Sequence, residues 1–483
     1  MVTMKPIELV KELTKRLSRS STPVRSVIIF GSATRPQDYV EELSDIDVAV
    51  ICDGISPKTR EIVLEGAREV SPHLSPIALD RSGLETEFSI PSDLAFLIQR
   101  GEPILLDERT GSIIQRRIRP TKGTAKGLVR GATIASKMAF RSYQRGELKE
   151  ALNHTYHALR HGVRYRALEA GKFPISDAEV LQAAGEKERK HLQYLISLRY
   201  DFKNAIKNPE EIADAILKSD RLIDSLLGLG ETVPLEHLTR MCYARVICYP
   251  KPNLDSLRRR IDQIKELGLE AIEFTGGKVV NDRFVLGKGC VSVVVIGLRK
   301  RKRFALKILR TDSGRESTEH EVGMQEIANT VGVGPMLYGH GRDVILMELI
   351  KGTHFPDWLK SEGLRDVRTT RRTLRELLEK CWRLDSVGLD HGELSRAPKH
   401  IIVDKAGNPR FVDFETSSNV RRVGNVTSIA QYLFIRGEIA RIIQGVVGKI
   451  EREELVAALR AYKARGTRQD LERIIDVCHL ARE

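Results

Sequence analysis

Four ionisable side chains flank a short hairpin pattern in the stretch Leu389–Glu415. The apolar runs Ile401–Val403 and Phe411–Val412 are separated by a segment rich in Asp, Gly and Asn, which is typical of a turn between antiparallel strands. The ends of two such strands would bring together His391, Glu393, Asp413 and Glu415. Carboxylates at such a rim can hold Mg²⁺ against phosphate oxygens and orient an acceptor hydroxyl. The pattern therefore predicts a phosphoryl-transfer site.

A pair of aspartates near the N-terminus indicates a second site of the same general kind. Val27–Phe30 predicts a buried strand, a Gly-Ser turn follows it, and Asp45–Ile51 predicts a second strand. Alternation along that strand would place Asp45 and Asp47 on one face. Two carboxylates in this arrangement can hold two Mg²⁺ ions, and the backbone N–H groups of a Gly-Ser turn can bind phosphates. The alternative is a surface Asp-x-Asp beside an ordinary turn.

The order of strand, Gly-Ser turn and Asp-x-Asp resembles the signature of polymerase-β-type nucleotidyltransferases, in particular their small single-domain members. The resemblance implies that Gly31 and Ser32 bind the nucleotide. It also implies that Asp45 and Asp47 are catalytic metal ligands, which serve the transfer of a nucleotidyl group to an acceptor hydroxyl.

A third carboxylate usually follows on a later strand in that family. The corresponding strand is predicted at Leu74–Leu79, and its middle carries no acid. Asp80, at its end, is the nearest candidate for the third ligand, and the alternative is a polar residue that begins a turn. Without a third carboxylate, general-base assistance is weaker and turnover is slower. Phe96–Leu106 predicts a helix end, a glycine turn and an edge strand.

Five segments of the second half resemble parts of a protein kinase, in the order in which kinases have them. They are a glycine-rich loop (Val285–Val295), a strand with a lysine (Ala305–Lys307), a helix (Glu316–Thr330), a hinge (Ile345–Leu349) and the hairpin described above. The set lies within residues 280–440 and resembles atypical serine/threonine protein kinases of the RIO-like or KEOPS type. We therefore expect a kinase-like domain there.

This resemblance implies Mg²⁺ and ATP, or another nucleoside triphosphate, as cofactors and assigns roles to residues of this chain. The residues implied to bind the nucleotide are Gly287, Gly289, Ser292, Lys307, Glu321 and Glu348. Glu393 is implied to orient the acceptor, and Asp413 and Glu415 are implied to hold Mg²⁺. Glu393 and Asp413 are therefore the implied catalytic residues.

Several positions depart from the kinase pattern. Ser292 stands in place of a third glycine, and Glu393 stands where an aspartate is expected. His400 stands where a metal-binding asparagine is expected, and Glu415 could compensate for that loss. The rival interpretation is an ATP-binding pseudokinase that acts as a conformational switch, joined to a degenerate nucleotidyltransferase domain.

Residues 120–232 predict a helical bundle that would complete the first cleft. Its helical periods are Val129–Tyr143, Leu148–Ala170, Asp177–Ala183, Lys190–Ile206 and Glu211–Leu227. With the upstream domain it resembles the HEPN-like partners of small nucleotidyltransferases, but it lacks the Arg-x(4–6)-His spacing of the ribonucleases among them. His154, His157, His161 and Arg164 would share a helix face beside Arg160. This face either contacts phosphate or is a solvated basic surface.

The whole pattern predicts a multidomain α+β protein, which agrees with a length of 483 residues. The expected parts are a small mixed-sheet nucleotidyltransferase domain at 1–118, a HEPN-like helical bundle at 119–232 and a bilobal kinase-like domain at 233–483. A helix is expected over 5–20. A βαβ-like extension is expected to begin the third part, with elements at Tyr243–Tyr249, Leu254–Leu267 and Ala271–Phe274.

The net charge of +14 is carried by the chain beyond residue 119, because the first 119 residues hold slightly more acidic than basic side chains. A basic remainder suggests polyanionic partners: nucleotides, RNA or an acidic protein face. A heat-adapted charged surface is the alternative. The partners expected for the two transfer reactions are the nucleotide substrate and an acceptor, either a protein or RNA. The run Arg299–Arg303 is either a solvated hairpin tip or a contact for RNA or an acidic protein. Besides the transferase and the ATP-binding switch, a third possible class of function is therefore an RNA-binding protein.

The location of the protein is predicted from what the sequence does not contain. It has no apolar run of membrane-spanning length and no signal-peptide core, so we expect a cytoplasmic protein without a membrane partner. The six cysteines are scattered and predict free buried thiols. The sequence leaves the acceptor and the oligomeric state open.

Overall fold

The computed structural model of the protein describes residues 5–20, 23–41, 43–205 and 207–481. These residues form a mixed α/β structure in which helices predominate and the strands belong to several small sheets. The chain divides into two compact units, Met1–Arg245 and Val246–Glu483. The first unit contains both the Asp-x-Asp segment and the helical region. The expected boundary between those two parts, at residue 118, stays a prediction.

The first unit begins with alternating strands and helices and continues with a run of helices. Its strands are β1 (Val24–Phe30), β2 (Ile46–Cys52), β3 (Leu74–Asp80), β4 (Glu102–Leu105) and β5 (Thr232–Pro234). Its helices are α1 (Pro6–Ser18), α2 (Pro57–Val70), α3 (Arg81–Ser89), α4 (Asp93–Gln99), α5 (Glu108–Ile114), α6 (Lys122–Gln144), α7 (Leu148–Ala167), α8 (Asp177–Ala183), α9 (Glu186–Tyr200), α10 (Phe202–Ala205) and α11 (Pro209–Leu227). Helix α12 (Met241–Ile247) crosses the division between the units.

Strands β1 to β4 form one sheet in the order β3-β2-β1-β4. Strand β1 is antiparallel to β2 and β4, and β2 is parallel to β3. The two central strands are almost continuously apolar because helices cover both faces. Helices α1 and α2 pack on the face of Val27 and Ile29, while α3, α4 and α5 pack on the face of Ile28 and Phe30.

The predicted elements of the first unit are present, but some of their bounds differ: α6 begins seven residues before the predicted start at Val129, and β1 begins three residues before Val27. Helix α8 has the predicted bounds, and the other predicted helices of the bundle are shifted. The predicted helix Lys190–Ile206 is divided into α9 and α10, and its last residue lies outside the described residues. Helix α7 packs against α6, α9 and α11 and is the centre of the bundle.

The second unit begins with a strand-rich part and ends with a helical part. Its strands are β6 (Ala271–Glu273), β7 (Lys278–Val280), β8 (Arg283–Val285), β9 (Gly287–Lys288), β10 (Ser292–Arg299), β11 (Lys302–Leu309), β12 (Leu337–His340), β13 (Val344–Glu348), β14 (Thr353–His354), β15 (Ile401–Val403) and β16 (Pro409–Phe411). Its helices are α13 (Leu254–Glu266), α14 (Glu319–Thr330), α15 (Phe355–Ser361), α16 (Val367–Ser386), α17 (Asn425–Ala430), α18 (Gly437–Val447), α19 (Arg452–Arg465) and α20 (Arg468–Val477).

The larger sheet of the second unit has its strands in the order β12-β13-β11-β10-β6, and β9 also pairs with β10. Lys307 on β11 pairs with Val294 on β10 and with Ile345 on β13. Gly287 on β9 pairs with Val294 as well. Since neighbouring strands lie about 4.8 Å apart, this register places the backbone of Gly287 about 10 Å from that of Lys307.

The helical part of the second unit packs around a core that is independent of this sheet. Phe355 and Trp358 on α15, together with Leu374 and Leu377 on α16, are buried in that core. Strands β15 and β16 pair antiparallel and form the predicted hairpin. The hairpin packs on this core through Phe411. The hairpin therefore rests on a rigid base.

The predicted βαβ-like extension is wrong in its first element. Tyr243–Tyr249 was expected to be a strand, but its first five residues belong to helix α12, which ends at Ile247. The carboxylate of Asp220 accepts a hydrogen bond from the backbone N of Cys242, at 3.1 Å, and thereby satisfies an N–H group of the first helical turn. The helix and the second strand of the extension are confirmed as α13 and β6.

Two sequence expectations concern the chain as a whole. The six cysteines are free, as predicted, but Cys290 is exposed whereas the others are buried. None of the helices among the described residues is both long and apolar enough to cross a membrane.

Candidate active sites

Lys307 is the centre of the candidate site in the second unit. Its Nζ lies 2.7 Å from Oε1 of Glu321 on α14, 2.8 Å from Oδ1 of Asp413 and 3.4 Å from Oε2 of Glu415. Lys307 and Glu321 are buried, while Asp413 and Glu415 are partly exposed. The structure thus brings together four residues, from distant parts of the chain, that the kinase resemblance assigns to one site.

The three carboxylates around Lys307 form a compact group. One ligand oxygen each from Glu321, Asp413 and Glu415 lies within 4.8 Å of the others. Asp413 has a φ of 73°, a left-handed conformation that costs a non-glycine residue about 1–3 kcal/mol and is found where a side chain must be aimed precisely in a site. Carboxylate oxygens are the protein ligands that Mg²⁺ prefers. The group could therefore hold a divalent cation.

The positive charge of Lys307 and the negative charges of the carboxylates change one another's pKa values. Burial disfavours the charged form of Lys307, but the carboxylates outweigh burial and raise its pKa above the ordinary value. Burial would raise the pKa of Asp413, yet the charge of Lys307 lowers it. The pKa of Glu321 is raised, chiefly by burial, although Lys307 opposes this. Lys307 is therefore a buried ammonium with a fixed position.

The glycine-rich segment forms the β9–β10 hairpin. The backbone N of Gly289 donates to the carbonyl of Ser292 at 2.9 Å, which closes the turn. A methyl group added at Gly287 or Gly289 would meet only ordinary van der Waals neighbours, at 3.6 Å. These glycines are therefore not required by packing, and they leave space beside the backbone. The guanidinium of Arg310 donates to the carbonyl of Gly289 at 2.9 Å and holds the hairpin against the end of β11.

Glu393 is paired with a histidine. Nε2 of His400 lies 2.6 Å from Oε2 of Glu393, and its Nδ1 lies 3.8 Å from Oδ2 of Asp413. His400 was noted from the sequence only as a departure from the expected asparagine, and the pairing was missed. The expectation that His391 lies at the rim is wrong, because its ring is fully buried against Phe414. The imidazole at the rim is that of His400.

Glu348, which was expected to bind the cofactor, is engaged within the protein. It ends β13, its carboxylate accepts from the backbone N of Met336 at 3.1 Å, and it forms an ion pair with Arg410 on β16. Arg410 also donates to the carbonyl of Gly334 at 3.0 Å. The Glu348 side chain therefore ties the sheet to the β15–β16 hairpin, and a cofactor would have to compete with these partners for it.

In the first unit, Gly31 and Asp47 are in close contact. The predicted Gly-Ser turn is a short 3₁₀ segment, Gly31–Thr34. Gly31 has a φ of +76°, and a Cβ at this position would lie 2.4 Å from Oδ2 of Asp47. Any side chain at this position would be strained, so the position favours glycine. Ser32 follows at the partly exposed surface of the turn.

Asp45 and Asp47 are two like charges, and the positive charge near them does not offset their repulsion. Asp45 is exposed just before β2, and Asp47 is half-buried on it. Burial and the charge of Asp45 raise the pKa of Asp47 to about 7, while the charge of Arg35 opposes this. A divalent cation between the two carboxylates would remove their repulsion. This pair therefore has the chemistry of a cation site.

The loop between the glycine turn and β2 is fixed by the helical bundle. Asp38 pairs with Arg35, at 2.6 Å, and also accepts from the backbone N of Asp177 on α8, at 3.2 Å. Further along the loop, Ser44 accepts from Arg199 on α9 at 3.3 Å. The bundle thus positions the segment that carries the aspartate pair. Sequence reasoning missed this role of the bundle, since the contacts of Asp38 with Asp177 and of Ser44 with Arg199 each span more than a hundred residues.

Asp80 is wrong as the candidate for the third carboxylate. In the parallel β2–β3 register, Asp47 pairs with Ser75, whereas Asp80 pairs with Cys52. Five residues of extended chain separate the two ends, so Asp80 lies about 17 Å along the strand from Asp47. Its Oδ1 accepts from the backbone N of Gly83 at 2.7 Å and caps α3. The alternative interpretation, a polar residue that begins a turn, is closer: Asp80 ends β3 and caps the first turn of α3.

Substituting Asp80 by alanine should therefore affect stability without affecting the aspartate pair. Loss of the helix cap costs about 1 kcal/mol, measured by urea unfolding, and the rate of nucleotidyl transfer stays unchanged. Asp80→Ser keeps a capping oxygen and should retain most of the stability. A loss of transfer in both variants would restore Asp80 as a functional carboxylate.

The basic face of α7 is not solvated. The interpretation of this face as a solvated basic surface is therefore wrong. Arg160 and Arg164 are buried, and Arg164 donates to the carbonyls of Pro174 at 2.9 Å and Ile175 at 3.1 Å. Burial and the neighbouring Arg160 lower the pKa of Arg164 to about 9. Burial also lowers the pKa of His161, to about 3. Contact of this face with phosphate stays a prediction.

A buried arginine of the first unit was not anticipated from the sequence. Arg240 has no exposed surface, and its guanidinium lies 3.3 Å from Oδ1 of Asp220 and 2.6 Å from Oδ1 of Asp224, both on α11. It also donates to Ser136 on α6 at 3.3 Å. This network joins α6, α11 and the segment before α12. The i, i+4 spacing of the two aspartates was the only sequence signal for it.

With both sites described, comparison with known proteins adds no assignment. No protein-family model matches the chain, and no curated protein is significantly similar to it.

Substituting Gly31 by alanine should destabilise the first unit by about 1–3 kcal/mol, because alanine must adopt a left-handed backbone and its methyl group displaces the Asp47 carboxylate. Gly54→Ala is the matched control, since a Cβ there has no neighbour within 4 Å. Urea unfolding followed by circular dichroism measures both variants. Equal stability of the Gly31 variant and the control would contradict the close approach.

Proposed function

We propose that the second unit is a Mg²⁺-dependent phosphotransferase that uses ATP or another nucleoside triphosphate. The observation that carries this proposal is the convergence of Lys307 with Glu321, Asp413 and Glu415. A buried ammonium among acidic cation ligands suits a ligand that brings phosphates and a divalent cation together. The resemblance to atypical serine/threonine kinases favours a protein hydroxyl as acceptor.

Each residue has a defined role in this proposal. Lys307 binds the α- and β-phosphates, and Glu321 holds Lys307 in place. Asp413 and Glu415 hold Mg²⁺, which supplies positive charge to the phosphate oxygens. Glu393 accepts the proton of the acceptor hydroxyl as the acceptor oxygen bonds to the γ-phosphorus and the bond to the β,γ-bridging oxygen breaks, which leaves the nucleoside diphosphate.

His400 is a positioning residue in this proposal. Its bond to Glu393 fixes the carboxylate that must face the acceptor, and it occupies the place of a second metal ligand. The same departure favours the rival proposal, an ATP-binding switch without phosphoryl transfer, because a missing ligand weakens a two-metal arrangement.

The first unit carries a second candidate activity, the transfer of a nucleotidyl group. The observation that favours it is the close approach of Gly31 to the carboxylate of Asp47, next to Asp45. The two aspartates would hold Mg²⁺, and the N–H groups of Gly31 and Ser32 would bind phosphates. The acceptor oxygen would bond to the α-phosphorus as the hydroxyl proton passes to solvent, and the bond to the α,β-bridging oxygen would break, which releases pyrophosphate. With Asp80 distant, this transfer lacks a third carboxylate and should be slow.

Incubation of the full chain with Mg²⁺ and ATP labelled at either the α- or the γ-phosphate tests both proposals. Label transferred or released as phosphate from the γ-position supports the phosphotransferase. Label transferred from the α-position supports the nucleotidyltransferase. Binding of labelled ATP without either reaction supports the switch and contradicts both activities. EDTA should abolish each reaction.

A further inference from the structure

A large groove lies on the helical part of the second unit, formed by α16, α20 and the segment that follows α20. Its volume is about 1160 Å³. None of its lining residues belongs to either candidate active site. The arginines that line it are Arg368, Arg371, Arg372, Arg375, Arg383 and Arg468. A ligand of this groove would therefore contact a strongly basic surface.

The groove is lined by more basic than acidic side chains. Glu376 and Glu379 are the acidic residues among the described lining residues. Glu379 is paired with Arg468, and Glu376 with Lys380 at 2.9 Å. Glu472 is shared by Arg375 and Arg468. The lining residues comprise six arginines and two glutamates, an excess of four positive charges, so the ligand of the groove should be anionic.

The arginines are spaced so that they can meet a run of anions rather than a single one. Five of them lie on α16 between Arg368 and Arg383, which corresponds to about 23 Å of helix at 1.5 Å per residue. Arginine presents a planar fork of donors that matches phosphate oxygens in bidentate geometry. The row therefore suits a polymer with a regularly repeated phosphate.

The groove does not have the features that a peptide partner would need. Peptides gain most of their affinity from apolar or aromatic anchors in pockets. The apolar residues that line the described groove are Val367, Leu480 and Ala481, and Leu480 is only 2% exposed. None of the described lining residues is aromatic, so bases would not be stacked either. The groove is therefore suited to contacts with the backbone of a ligand rather than with its side chains or bases.

We propose that this groove binds the phosphodiester backbone of a nucleic-acid strand without sequence preference. The affinity comes from the arginines of α16 and is independent of both candidate active sites. It was not anticipated at this place from the sequence, which pointed to the run Arg299–Arg303 instead.

Binding of fluorescently labelled 20-nucleotide RNA and DNA strands to the full chain tests this inference. In Arg368→Gln/Arg372→Gln we expect an affinity about 10- to 30-fold lower at 0.1 M salt, and a salt slope reduced by about 1.4, because two phosphate contacts are lost. RNA and DNA should both show the loss. Mixed-sequence strands of different composition should bind equally.

Lys300→Gln/Arg301→Gln is the matched control, because it removes the same charge at the β10–β11 turn, where both residues have positive φ. This control should bind as the wild type does. Arg372 also donates to the carbonyl of Ala406, so Arg368→Gln alone is the second variant, with a loss of about 5-fold expected for one contact.

Three results would overturn the inference. They are absence of binding to either strand, an equal loss in the control and the groove variant, and displacement of the strand by poly-glutamate at the same charge concentration. The last would identify an acidic protein as the ligand.

Discussion

Replacing Asp413 by asparagine should lower the rate of γ-phosphoryl transfer about 10³-fold, a change that corresponds to roughly 4 kcal/mol in the activation barrier. Asparagine tolerates the left-handed conformation of this position and has nearly the same shape. Lys307 keeps its bond to Glu321 at 2.7 Å. The substitution therefore removes one charged ligand and the ion pair of Asp413 with Lys307 while keeping the shape of the side chain. Quantifying γ-label on acceptor and as free phosphate measures the effect.

The control for this variant is Asp357→Asn, which changes an exposed aspartate on α15 of the same unit. It should transfer γ-label at the wild-type rate. In Asp413→Asn, the transfer of α-label should be unchanged, since Asp45 and Asp47 belong to the other unit. An unaltered rate of γ-transfer in Asp413→Asn would contradict the assignment of Asp413 as a metal ligand.

Arg240→Met should destabilise the first unit by about 3–5 kcal/mol. The substitution removes the buried guanidinium that pairs with the carboxylates of Asp220 and Asp224, and breaking a buried ion pair by removing one partner is strongly destabilising. The two tryptophans of the chain, Trp358 and Trp382, both lie in the second unit. Far-ultraviolet circular dichroism reports both units, whereas tryptophan fluorescence reports the second.

In urea, the dichroism of the Arg240 variant should therefore show an early transition that the fluorescence does not. The neutral combination Arg240→Met/Asp220→Asn/Asp224→Asn should recover much of the stability, because it removes the buried charges of these three residues together. An early transition of equal size in the triple variant would show that packing, and not charge, accounts for the loss.

Local sequence patterns were sufficient where each residue's neighbours in sequence determine its structure. The apolar run before Gly31 and the Asn-containing turn between β15 and β16 identified strands and a hairpin. These predictions rest on periodicity and turn chemistry, which act over a few residues. Lys307 and Glu321, which the structure pairs, were instead singled out by the resemblance to protein kinases.

The remaining features depend on tertiary contacts. The segment Tyr243–Tyr249 has strand-forming residues, but the carboxylate of Asp220 stabilises it as a helix. Asp80 was misjudged because strand register is fixed by packing rather than by the strand's own sequence. The sequence could not show that His391 is buried and that His400 pairs with Glu393. Both features depend on contacts between residues that the folded hairpin brings together.

Counting the nucleotides bound per chain is the most direct test of two Mg²⁺-dependent nucleotide sites, one in each unit. The measurement is equilibrium dialysis of the full chain with Mg²⁺ and a triphosphate analogue that resists cleavage at both the α,β- and β,γ-bridges. We predict two molecules bound per chain, both released by EDTA. One molecule or none at saturation would contradict the account.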